Sequence, residues 1–193
     1  MTDEFKTITS QSEGFYSEKR SKFFAFAHPV ETVEQVKELV AAYRKKYYDA
    51  RHVCYAYMLG AERKDFRAND DGEPSSTAGK PILGQINSNE LTNILIVVVR
   101  YYGGVNLGTS GLIVAYREAA ADAISHATIE SRPVEELVEH SFVYPAMNAV
   151  MRVVKDMQAR IVRQDFNTTC SITLAIRQSL ASQLRQRLQQ ENF

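Results

Sequence analysis

The sequence has little cysteine, no excess of charge of either sign and no long apolar run, and each shortage removes a class of protein. Two cysteines, Cys54 and Cys170, stand far apart with no CxxC pair. That excludes a disulfide framework and fits a reducing compartment. Lys plus Arg and Asp plus Glu both total 23, so the formal net charge is zero, with no strongly basic module on either side of Pro133. Tight non-specific duplex binding is disfavoured, although a local basic patch stays open. The longest aliphatic run, Ile94 to Val99, is far too short to cross a bilayer. The first residues, "MTDEFKTITSQ", lack the basic start and apolar centre of a signal peptide. The expectation is a soluble cytoplasmic protein with no membrane partner.

Glycine is also scarce, nine residues in 193, yet Gly103, Gly104, Gly108 and Gly111 crowd into one stretch, "RYYGGVNLGTSGLIVAY". It begins as a strand end and finishes as a helix with Leu112, Tyr116, Ala119, Ala120, Ala123 and Ile124 on one face. A strand that runs through glycines into a helix gathers unpaired N–H groups and the positive helix end at one point, which is a ready anion site. Thr109 and Ser110 can cap the helix or offer hydroxyls, and Arg100, with Tyr101 beside it, stands at the strand end. On this reading Arg100→Ala keeps its melting temperature and loses anion binding. The competing reading is a tight turn that packs helix on sheet with no ligand.

The rest of the chain reads as an α+β protein. Two extended stretches flank the basic run Lys19-Arg20-Ser21-Lys22, a hairpin tip whose neighbours Phe15, Tyr16, Phe23 and Phe24 serve either the core or RNA bases. Thr32 caps a helix carrying Val33, Val36, Leu39, Val40 and Tyr43. "HVCYAYML" is a strand, and "ILIVVV" is a central strand covered on both faces. Residues 60–80 read as one long loop. After Pro133 the order is βαββα, a ferredoxin-like unit without its final strand, with Pro145 opening one helix and Ser179 capping the last, which carries Leu180, Leu184 and Leu188. The expected domains are residues 1–133 and 134–193.

"DDGEPSSTAGK" is not a P-loop, because Gly72 and Gly79 are six residues apart and Pro81 follows Lys80 where a hydroxyl should bind magnesium. Thr77 and Lys80 mimic a serine/lysine spacing, but a residue before proline is biased away from helix. Asp70, Asp71 and Glu73 are weak candidates for Mg²⁺ beside a phosphate, against a solvated acidic turn. His52 and Cys54 face one side of a strand; two ligands make no zinc site, and packing accounts for them. No cofactor is required.

Four stretches, "KRSKF", "ARHVCYAY", "DDGEPSSTAGKPIL" and "VVVRYYGGVNLGTSGLIVAY", resemble the IMPACT family in its bacterial form, in the family's order. Ser76 and Ser110 stand where glycine is usual, and Val114 where a basic residue is common. The resemblance implies an N-terminal domain like domain 2 of ribosomal protein S5 and a C-terminal ferredoxin-like module similar to one in elongation factor G. It also implies a role in translational control and no established catalysis. Eukaryotic members bind the activator of the amino-acid-starvation kinase, but through an architecture with a further domain, so that partner is not carried over. The expectation is a translation-associated protein binding RNA, the ribosome or another anionic ligand at the 70–83 and 100–111 loops, with Lys80 and Arg100 supplying charge and Lys19, Arg20 and Lys22 a further patch. The alternative is an enzyme for a small phosphorylated substrate, with the acidic triplet holding Mg²⁺.

Overall fold

The computed structural model describes residues 3–191. It divides into two compact units, Phe5–Arg132 and a second in which Asp3 and Glu4 join residues 133–191. The boundary expected at Pro133 places these first residues with the larger unit instead. Arg177 draws them to the other, bonding Asp3 at 2.7 Å and Glu4 at 3.2 Å, while the Val134 N–H donates to the Asp3 carbonyl. Among the described residues no helix is long and apolar enough to cross a membrane.

The larger unit is built on a five-stranded antiparallel sheet. Its strands are β2 (Ser12–Glu18), β3 (Ser21–Pro29), β4 (His52–Leu59), β5 (Asp65–Asn69) and β6 (Ile94–Tyr101), in the order β2-β3-β6-β4-β5. β1 (Glu4–Ile8) pairs with β7 (Ile129–Pro133). The aliphatic run is the central strand β6. Its even positions, Ile94, Ile96 and Val98, join the core under α2 (Gly79–Ser88) and α3 (Gly108–Ser125). Its odd positions, Leu95, Val97 and Val99, join the core under α1 (Val33–Lys46). Thr32 and Gln35 form a full capping box at the start of α1.

Residues 60–80 are not one loop. β5 occupies an edge of the sheet, and its charged, exposed sequence DFRAN suits an edge strand, where charge discourages pairing with other chains. α2 begins at Gly79, so Lys80 is helical; Pro81 falls in the first turn, where a missing N–H costs nothing.

The second unit holds β8 (Glu135–Phe142), α4 (Met147–Asp156), β9 (Arg160–Phe166), β10 (Cys170–Arg177) and α5 (Ala181–Gln190). β10 lies between β8 and β9 and runs antiparallel to both, the split βαβ arrangement of a ferredoxin-like unit. Its core gathers Val138, Val150, Val154, Ile172, Leu174 and Leu184. Pro145 sits in a 3₁₀ turn ahead of α4, and Ser179 in one ahead of α5, which no side chain caps. Leu180 is exposed; Ala181 takes the buried position instead.

Close approach of β2 to α3 depends on Gly14, where a Cβ would overlap the backbone of Ala123. Gly84, on the exposed side of α2, has open space around it. Gly14→Ala is expected to cost about 1–3 kcal/mol through overpacking, and Gly84→Ala to gain about 1 kcal/mol through helix propensity. Opposite shifts of the urea midpoint check both.

Candidate functional site

The site is organised around a buried carboxylate. Between β5 and α2 the chain turns through Asp71, Gly72 and Ser76, all at positive φ. Asp70 folds back on this turn, its carboxylate accepting from the N–H groups of Ser76 at 2.9 Å, Ala78 at 3.1 Å and Gly79 at 2.8 Å. It thereby caps α2 from a distance in sequence. Asp71 accepts from the Val53 N–H at 2.7 Å and lies 3.6 Å from Arg44. Glu73 points inward and is 8 % exposed.

Arg100 meets it there. On β6, Arg100 follows Val98 on the face under α3, at the point where the apolar core ends, and the register sets Phe23 and His52 on either side of it. Its Nη1 lies 2.8 Å from each Glu73 oxygen. The Tyr116 hydroxyl of α3 donates to the same carboxylate at 2.5 Å. His52 presents Nε2 to Glu73 at 3.3 Å, and its Nδ1 lies 2.7 Å from the Asp71 carbonyl. The guanidinium also sits over the rings of Phe23 and Tyr102, each centroid 5.6 Å away. Burial pushes the Tyr116 hydroxyl far above its usual range. It does the same to the Cys54 thiol, which stays protonated and unreactive beside Tyr116.

This overturns two expectations. Arg100 is 5 % exposed and paired, so it is an internal counter-ion and not a free cation at the strand end. The acidic triplet does not converge: Asp70 caps a helix, Asp71 holds β4 and Glu73 holds Arg100. Among the described residues no three His, Cys, Asp or Glu side chains are arranged to hold a metal. These carboxylates do not fit a Mg²⁺ site.

The glycines divide by task. Gly103 donates its N–H to Ser21 at 3.1 Å, and a Cβ there would overlap the backbone of Arg20, so this glycine serves packing. Gly104 and Gly108 stand at φ +91° and +75° with open space around them. A Cβ at Gly111 would press on Leu107. α3 starts at Gly108, with Leu107 in the capping position and no side chain bonded to the free first-turn N–H groups. Thr109 and Ser110 are exposed and do not cap.

A cavity of about 650 Å³ opens against that helix end, lined by Arg51, His52, Arg100, Tyr102, Asn106 and Thr109 among others, with Glu73 in its wall. The Arg51 guanidinium lies 4.7 Å over the Tyr102 ring. On the other side of the first turn a smaller cavity of about 270 Å³ is lined by Lys19, Ser110 and Gly111. Lys19, Arg20 and Lys22 are all exposed, and the Gly103 contact brings their turn against the glycine loop. Two patches far apart in sequence thus become one surface. Lys80, exposed on α2, does not line either cavity. Tyr101 faces the opposite side of the sheet, where its hydroxyl donates to Asp49 at 2.8 Å. Sequence reasoning missed Arg51, Tyr102 and Asn106 as cavity residues; the pairing of His52 with Arg100 across β4 and β6 is what carries Arg51 there.

The profile of the Impact N-terminal domain matches residues 19–124, a span that contains the buried pair, the basic turn and the glycine loop. YigZ of Escherichia coli K12, an IMPACT family member, is 32% identical over 162 residues, covering 82% of this chain and 78% of the relative. The chain belongs to the IMPACT family. YvyE of Bacillus subtilis 168, another member, is 30% identical over 158 residues, 82% of this chain and 73% of that protein. A crystal structure described as that of a hypothetical protein superposes with a TM-score of 0.77 at 26% identity, over 98% of this chain and 93% of its own.

Removing one partner of a buried ion pair leaves the other charged and unsolvated. Arg100→Ala is therefore expected to cost about 3–5 kcal/mol, read as a lowered urea midpoint. An unchanged midpoint would return Arg100 to the role of a free cation.

Proposed function

We propose that this IMPACT-family protein acts in translational control by binding RNA, free or within the ribosome, across the surface formed by the β2–β3 turn and the glycine loop. One observation carries the reading. The turn Lys19-Arg20 places both residues at positive φ, 48° and 69°. A two-residue hairpin of this kind favours Asn-Gly, because most side chains resist that backbone. Each such residue costs on the order of 1 kcal/mol. Two strained residues that are both cationic, exposed and held against the glycine loop point to retention of charge at that tip.

The surroundings support the same ligand. The first-turn N–H groups of α3 are open to phosphate. Arg51 adds a cation and Tyr102 a ring at the cavity mouth. Arg100 and Glu73 neutralise each other, so the buried pair adds no net charge to the site. The family resemblance supplies the link to translation.

Binding of single-stranded RNA to such a surface weakens with salt in proportion to the phosphates neutralised, with a slope of roughly −0.7 per contact. Reversing Lys19, Arg20 and Lys22 to Glu is expected to flatten the log K against log salt plot by about 2 and to weaken binding at low salt. Fluorescence anisotropy with labelled RNA reads both. A folded triple variant that binds RNA and ribosomes as the wild type does would sink this surface.

A further inference from the structure

The basic turn has a second neighbour, on the sheet face away from the cavity. β2 and β3 alternate, so Tyr16 and Phe23 face α3 and join its core, whereas Phe15 and Phe24 face the side of α1. α1 packs over β4 and ends at Lys46, which leaves the β2 side of that face uncovered. Phe15 stays 46 % exposed. Phe15, Phe24, Tyr101 and Tyr47 form a row of rings with successive centroids 5.2, 6.1 and 6.5 Å apart. The Phe15 N–H donates to Asp122 of α3 at 2.8 Å, which fixes the outer end of the row.

The rim of this row is charged unevenly. Lys22 lies on the same face, paired with Tyr101 across β3 and β6, and is continuous with the Lys19-Arg20 turn. Lys46 lies over the Tyr47 ring at 5.4 Å. Of the nearby acids, Asp122 accepts from the Phe15 N–H, Glu18 from the Tyr16 hydroxyl and Asp49 from Tyr101, and Glu13 is exposed at the far end of β2. Rings that can take bases, next to cations that can take phosphates, match a single-stranded nucleic acid and not a duplex, whose bases are stacked on one another.

We infer that the β2–β3–β6 face is a base-stacking platform, on which single-stranded RNA held by the basic turn lays one or more bases against Phe15 and Phe24. The inference rests on the RNA-binding reading above and adds to it a second face and a preference for unpaired strands.

The chain has no tryptophan, so Phe15→Trp installs a single indole at the outer end of the row. Its emission should be quenched as oligouridylate or oligoadenylate RNA is added, over the same concentrations at which labelled RNA gains anisotropy. A duplex RNA of equal length should leave it unchanged. Phe15→Ala should weaken single-strand binding on the order of tenfold, with the melting temperature kept, because the ring is half exposed. If RNA binds while the indole emission stays constant and Phe15→Ala binds equally well, the platform is wrong and the basic-turn reading survives. If the wild type binds no RNA at low salt, both fall.

Discussion

The larger unit is held in register by one buried carboxylate. Glu73 sits where the apolar face of the sheet ends, and it draws in Arg100 from β6, Tyr116 from α3 and His52 from β4. A carboxylate there without partners would be prohibitively costly. Its burial therefore forces the loop, the two inner strands β4 and β6 and the helix into one geometry. The same loop sends Asp70 to cap α2 and Asp71 to hold β4. What reads as an acidic turn is a strap fastened at three points.

Because those charges are consumed inside, the surface is defined by what is left over. Lys19, Arg20, Lys22 and Arg51 are exposed, and α3, unlike α2, presents an uncapped N-terminus. Gly103 joins the two groups by allowing the glycine loop to lie on the backbone of Arg20. The interior pair and the outer cations thus have different tasks, although one motif carries Arg100 and the glycines together.

Periodicity made much of this legible. The central strand, the amphipathic α3, the helix cap at Thr32 and the βαββα order are all local patterns that the structure keeps. β5 was not visible, since an exposed edge strand has no apolar alternation to detect. The start of α2 was hidden because its cap, Asp70, is nine residues upstream of Gly79. The pairing of Arg100 is hidden for a similar reason: its partner Glu73 is 27 residues away, and nothing local distinguishes a paired arginine from a free one. The alternation of Phe15 and Tyr16 was readable, but which face α1 leaves bare depends on where that helix lies across the sheet.

On the proposed RNA-binding reading, the β2–β3 turn and the start of α3 together meet the ligand, while residues 70–78 serve the interior. Amide hydrogen exchange of the whole chain, with and without single-stranded RNA, tests it most directly. New protection is expected in segments spanning residues 17–22 and 103–111, where first-turn N–H groups gain phosphate acceptors, and little change in residues 70–78, where Ser76 and Ala78 already donate to the Asp70 carboxylate, Glu73 to the Asp70 carbonyl, Asp71 to Asn69 and Thr77 to Pro74. Protection confined to residues 70–78, or RNA binding that leaves residues 17–22 and 103–111 exchanging as in the free protein, would contradict it.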